Sequence, residues 1–161
     1  MPKIKPFGII ERASIMAKKE SITESGATIT VTQLDFLRLT KLIQTLRDNK
    51  SVDPEYLKFL GMELQKALKI DSKLITPDFV TMNSVMNVVF LDTGKTMELR
   101  LVYPQSANFS KGLISVLSPL GCALLGYKAG DEVTFKAPKG EQKVMIEKVI
   151  YQPEANGEDL L

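Results

Sequence analysis

The chain has no histidine, no tryptophan and a single cysteine among its 161 residues. Without histidine, neither a Ser-His-Asp triad nor a histidine-ligated metal site can be built. The lone Cys122 can form neither an internal disulfide nor a zinc finger, and it suits a reducing compartment. No glycine-rich phosphate cradle is present: Gly121, Gly126 and Gly130 have the wrong spacing, and no Gly-Lys-Ser/Thr follows them. Uninterrupted apolar runs are only a few residues long, far short of a membrane span. A secretory signal would need an apolar stretch near the start, and Ile9-Ile10 followed by Glu11-Arg12 does not supply one. These absences read as a cytoplasmic protein with no metal, no cofactor and no catalytic residues. Catalysis by the chain alone would have to rest on carboxylates, lysines or tyrosines.

Net charge is +2, too small to imply tight nucleic-acid binding. Residues 1–75 carry 13 Lys/Arg against 9 Asp/Glu, and residues 76–161 carry 8 against 10. No basic cluster interleaves with aromatics as a single-strand groove requires, so no specific nucleic-acid contact is inferred. What is present is the balance of a globular protein, 44% apolar and 25% charged.

Three regions follow from patterning. Residues 1–28 are a polar lead segment in which Ile9, Ala13 and Met16 recur at helical spacing, the plainer alternative being a mobile tail. Residues 29–75 read as a helical hairpin. Thr32 caps its first helix, with Asp35 in the capping-box position as a shorter stand-in for glutamate. Phe36, Leu39, Ile43 and Leu46 then fall three, four and three apart. Residues 47–52, polar but for Val52, break the pattern; Asp53-Pro54 restarts it as cap and first helical residue, and Leu57, Leu60, Leu64 and Ala67 repeat the spacing. Heptad-like stripes joined by a short connection predict an antiparallel pair, a short coiled coil, with arms of about 24 Å at 1.5 Å per residue. The stripe itself reads as the packed interior of that hairpin.

Beyond Thr76-Pro77 the period changes from helical to two, and residues 76–161 read as an α+β domain. Met97, Leu99, Leu101 and Tyr103 alternate with Glu98, Arg100 and Val102. Residues 92–95, Asp-Thr-Gly-Lys, turn back to a strand at Val88–Leu91, and further strands read at Leu113–Leu117, Glu132–Lys136 and Lys143–Tyr151. Ser118-Pro119 starts one short helix and Gly126 ends it.

Residues 114–126, Ile-Ser-Val-Leu-Ser-Pro-Leu-Gly-Cys-Ala-Leu-Leu-Gly, followed by Gly130-Asp131-Glu132-Val133, resemble the C-terminal domain shared by Gre transcript-cleavage factors and Gre-like regulators of nucleoside diphosphate kinase (Rnk). Leu91-Asp92-Thr93-Gly94 resembles the hairpin of that domain. The stretches Val80–Ser84, Leu101–Pro104 and Tyr151–Ala155 are similar to the Rnk branch in particular. The resemblance covers about residues 29–161. It implies an FKBP-like antiparallel sheet wrapped on one helix, and a partner, RNA polymerase. Gre factors dock this domain at the rim of the polymerase secondary channel while their hairpin reaches inward, and the Rnk hairpin is short.

The same resemblance places Ser118-Pro119 in the docking region, and strand alternation adds Ser115, Leu117 and Leu120 to it. If Ile114 and Val116 face the core, Ser115 and Leu117 face outward, and Leu117 with Pro119 and Leu120 makes a small apolar patch. Two residues depart from the Gre pattern: Leu117 stands where many Gre factors have an acidic residue, and Cys122 where an arginine is common. Gre factors hold a catalytic magnesium with acidic residues at the hairpin tip. Asp48, Asp53 and Glu55 lie near the tip here and offer hard oxygen ligands. Their plainer reading is that Asp48 ends one helix while Asp53 and Glu55 cap the next and favour its dipole. Cys122 has no neighbouring cation in sequence to activate it and suits helix packing.

The reading reached is a polymerase-binding transcription regulator, monomeric, that occupies the secondary-channel rim and competes with Gre-type factors without cleaving. The alternatives are a transcript-cleavage stimulator acting through its tip carboxylates, or, by fold analogy, a peptidyl-prolyl isomerase, which the lack of tryptophan weakens.

Overall fold

A computed structural model describes residues 14–16, 19–20 and 28–159. Within the lead segment, Ser14–Met16 and Lys19–Glu20 are short extended stretches. The helix expected there gives way to extended chain at Met16, and Ile9 and Ala13 lie outside the described residues.

Strand β1 (Thr30–Thr32) runs into helix α1 (Gln33–Leu46), and α2 (Pro54–Lys66) runs into β2 (Leu68–Ile70). The two strands, unforeseen in the sequence, pair in parallel, Thr30 opposite Leu68 and Thr32 opposite Ile70. They clip together the two chain ends from which the helices leave.

Thr32 caps α1 as expected, its hydroxyl accepting the Asp35 N–H at 3.0 Å. The second half of the expected capping box does not form. Asp35 instead turns inward, and its Oδ2 accepts the N–H of Met82 at 3.0 Å. An aspartate is one methylene too short to reach back comfortably, and a buried backbone donor elsewhere takes its carboxylate. Asp53 caps α2, accepting the Glu55 N–H at 2.9 Å, with Pro54 in the first turn. The helices have 14 and 13 residues, about 21 and 20 Å, shorter than expected.

Leu39, Leu57, Leu60 and Leu64 are buried, whereas Phe36, Ile43 and Leu46 are half-buried. Leu39, Leu60 and Leu64 belong to one apolar cluster with Met86, Leu99, Leu101 and Ile146 of the sheet. The stripe therefore does not form a separate interior for the helix pair; its buried members Leu39, Leu60 and Leu64 are continuous with the core of the described residues.

The sheet has five strands: β3 (Val85–Phe90), β4 (Thr96–Val102), β5 (Leu113–Ser115), β6 (Glu132–Ala137) and β7 (Gly140–Tyr151). Their spatial order is β5-β4-β3-β7-β6. Three pairings are antiparallel, but β4 and β5 run parallel, Arg100 opposite Leu113. The all-antiparallel expectation is corrected there: residues 103–112 carry the chain back across the end of β4 through two 3-10 turns, so β5 starts from the same side.

The 92–95 turn forms as read. Phe90 donates its N–H to the Lys95 carbonyl at 2.8 Å, and its own carbonyl accepts from Gly94, whose φ of 74° an L side chain rarely adopts. Register shifts along β3–β7, between Val85 and Met86 and between Asn87 and Val88, add the local twist that curls the sheet. Helix α3 (Pro119–Leu124) packs on the two edge strands β5 and β6, with five of its six residues buried.

Candidate functional site

Because β5 and β6 are the two edges of the curled sheet, they face each other without pairing, and a groove of about 430 Å³ lies between them at the start of α3. Ile114 and Ser115 line it from one edge and Phe135, Lys136 and Pro138 from the other. Phe90 and Phe135 meet edge to face at its wall, ring centres 6.4 Å apart and planes at 78°, the arrangement aromatic quadrupoles favour. Phe109, carried by a short 3-10 turn, stands at the mouth and is 61% exposed. Lys136 is the one charged side chain in the walls; Asn108, Ser115, Ser118 and Gln142 add neutral polar groups.

Hydrogen bonds hold the floor of this groove rigid. Ser118 caps α3, its Oγ accepting the Gly121 N–H at 3.1 Å and donating to the Ser115 carbonyl at 2.7 Å. The Ser115 Oγ in turn accepts the Leu117 N–H at 3.0 Å. Both serines thus spend their side chains on the turn, and what they offer a partner is shape. Pro119 sits at the first helical position, half-buried, where its missing N–H leaves nothing unpaired.

Of the five residues assigned to docking, Ser115, Ser118, Pro119 and Leu120 line the groove, and Leu117 does not. The expected outward patch of Leu117, Pro119 and Leu120 is corrected. Leu120 is buried in the core, and Leu117 is half-buried against it. The alternation itself holds, Ile114 and Val116 being buried and Ser115 and Leu117 half-buried, but β5 ends at Ser115 and Leu117 belongs to the turn into α3, outside the groove. Phe90, Phe109, Phe135, Lys136 and Pro138 were missed. An isolated aromatic within the polar run 105–111 was the signal available for Phe109.

The tip residues Asp48, Asp53 and Glu55 are all exposed in and around the connection between α1 and α2. Asp53 uses its carboxylate to cap α2. Among the described residues, no three of Cys, Asp and Glu gather as a metal-binding set. Cys122 is buried, and burial together with the Glu63 charge pushes its thiol well above the usual range, which favours the protonated form. No helix among the described residues is long and apolar enough to cross a membrane.

Comparison with known proteins places this geometry. Residues 75–151, the sheet and α3 together, match the family model described as transcription elongation factor, GreA/GreB, C-terminal. The chain is 36% identical over 103 residues to the regulator of nucleoside diphosphate kinase of Escherichia coli K12, covering 63% of this chain and 76% of that one. It is 40% identical over 93 residues to the transcription elongation factor GreA of Helicobacter hepaticus, of which it spans 57%, little more than half. A solved GreA/GreB elongation factor from Nitrosomonas europaea superposes with a TM-score of 0.64 at 36% identity, covering 76% of this chain and 99% of that one.

Proposed function

Because the chain belongs to the family of GreA/GreB elongation factors and Gre-like regulators of nucleoside diphosphate kinase, we propose that it binds RNA polymerase in the cytoplasm as a non-catalytic transcription regulator. In this reading the FKBP-like sheet docks at the secondary-channel rim, and the antiparallel helical hairpin points inward. The observation that carries it is the coincidence of the groove with the motif residues Ser115, Ser118 and Pro119: a rigid, mainly apolar slot with aromatic walls is what an anchor side chain of a partner fills.

Phe109→Asp tests the surface directly. Its ring is mostly in solvent, so the fold keeps its stability while the groove mouth gains a charge that docking would bury. Polymerase affinity is expected to fall about 10- to 100-fold, as at interface hot spots. Pro119→Asp is the companion, read together with its stability because it also disturbs the start of α3. A folded Phe109→Asp protein that binds polymerase as well as wild type sinks this docking surface.

The hairpin supports a passive role. Its arms of about 20 Å end near Asp53, whose carboxylate caps α2, and magnesium requires oxygen ligands within about 2.0–2.1 Å. A shortfall in reach therefore abolishes catalysis rather than weakening it. In backtracked polymerase complexes with magnesium, the chain is expected to leave the transcript uncut and to suppress cleavage driven by a longer-armed Gre factor. Cleavage that rises with this chain alone, and vanishes when Asp53 and Glu55 are changed to alanine, establishes the stimulator reading instead.

A further inference from the structure

The stretches Val80–Ser84, Leu101–Pro104 and Tyr151–Ala155 take no part in the groove, yet they converge on one point, the first turn of α1. Asp35, only 3% exposed, accepts the Met82 N–H at 3.0 Å. Arg38, one turn on, donates from Nη1 to the Asp159 carbonyl at 3.1 Å. The Thr81 hydroxyl donates to Glu154 Oε1 at 2.7 Å and also lies 2.8 Å from the Ser84 hydroxyl. The Tyr103 hydroxyl is buried beside them with no well-formed hydrogen bond among the described residues, and Asp35, Arg38 and Glu154 all act on it. The charged groups that face Asp35 are Arg38 from its own helix and Glu154 and Asp159 from the C-terminal segment.

We propose that Asp35 is the latch of the junction between helix pair and sheet, closed while its carboxyl is neutral and released when it ionises. The bond to Met82 ties α1 to a loop 47 residues away, directly ahead of β3. A carboxylate enclosed there recovers one N–H in exchange for its hydration shell, too little to offset the loss. Burial accordingly pushes the Asp35 carboxyl up to about 7, outweighing the Met82 N–H and Arg38, which favour the ion, while the Glu154 and Asp159 charges add to the rise. The neutral acid fits the buried junction. The ion draws water in, and the helix pair loses its fixed angle on the sheet. For a sheet held at the polymerase rim, which rests on the docking reading, the latch decides where residues 48–53 point; the latch itself stands without that reading.

The test uses the full chain without polymerase, carrying Cys122→Ala and nitroxide labels at Lys50→Cys and Lys139→Cys, both exposed positions. Pulsed-EPR distances are recorded from about pH 5.5 to 8.5, spanning the titration of a carboxyl raised this far. The expected result is one narrow distance at low pH that broadens as pH rises, with a midpoint near 7. Asp35→Asn keeps the narrow distance throughout. Glu154→Gln, which keeps an acceptor for Thr81, moves the midpoint down, and Arg38→Gln moves it up. A wild-type distribution unchanged across the range overturns the latch, as does an Asp35→Asn protein that retains the transition. Should Asp35→Asn not fold, the other two variants decide, and midpoints that fail to move in opposite directions overturn it. No polymerase is present, so a failure of docking leaves these results untouched.

Discussion

Gly121→Ala is expected to unfold the chain or bring it to the edge of unfolding at room temperature, measured as the midpoint of a urea transition. A Cβ at this position would stand 1.9 Å from the Ser115 carbonyl oxygen and 2.8 Å from its carbon. That oxygen cannot retreat, because it also accepts from the Ser118 N–H at 3.0 Å and the Ser118 hydroxyl at 2.7 Å. Relief requires α3 to lift away from β5, which opens the groove and exposes Ala123 and Leu124, both fully buried. An added methyl group in a packed core costs about 1–3 kcal/mol where side chains can give way. Here the obstacle is backbone, so the cost exceeds that range and dwarfs the roughly 1 kcal/mol that alanine gains over glycine in a helix. A Gly121→Ala protein with the wild-type midpoint would falsify the close approach of α3 to β5.

Asp35→Asn is expected to act in the opposite direction, stabilising the chain at alkaline pH. The carboxyl's ordinary value of 3.8 is raised to about 7 in the folded state. Between those values the folded chain holds a proton that the unfolded chain has released, so stability falls as pH rises through this window and levels off above it. At about 1.4 kcal/mol per pH unit, the window spans up to about 4 kcal/mol, part of which opening of the junction gives back. Asparagine keeps an oxygen for the Met82 N–H and has nothing to ionise. Wild type and variant should therefore be similarly stable near pH 4 and diverge toward pH 8, by on the order of 10 °C in Tm for a domain of this size. Parallel Tm curves for the two proteins across that range would show that the folded-state carboxyl is not perturbed.

What the sequence disclosed about this fold was local. The caps Thr32, Asp53 and Ser118 are each satisfied within three residues, and the period-two runs of β4 and β6 bury one face regardless of their partners. What it withheld depends on distance along the chain. Thr30 meets Leu68 and Asp35 meets Met82 across dozens of residues, and no local pattern records either meeting. Leu113–Ser115 has the composition of a strand whichever way it runs, so its parallel pairing was equally hidden. The groove was half legible. Ser115, Ser118 and Pro119 stood in a recognisable motif, whereas Phe90 and Phe135 looked like ordinary core residues until the sheet curled and brought its edges together. Leu120 misled because a helix with five of its six residues buried carries no polar face from which to read its orientation.

The clip formed by β1 and β2 makes the length of the helix pair a freely adjustable dimension. The chain between Thr32 and Leu68 enters and returns through one doorway, three residues wide on each side, with its basal turns packed into the core and its outer part, about residues 44–55, standing clear. Seven residues inserted into each helix would advance the 47–53 connection by about 10 Å while leaving the doorway, the sheet and the groove as they are. If the groove docks as proposed above, a chain of this design can change how far its helix pair reaches without changing where its sheet holds.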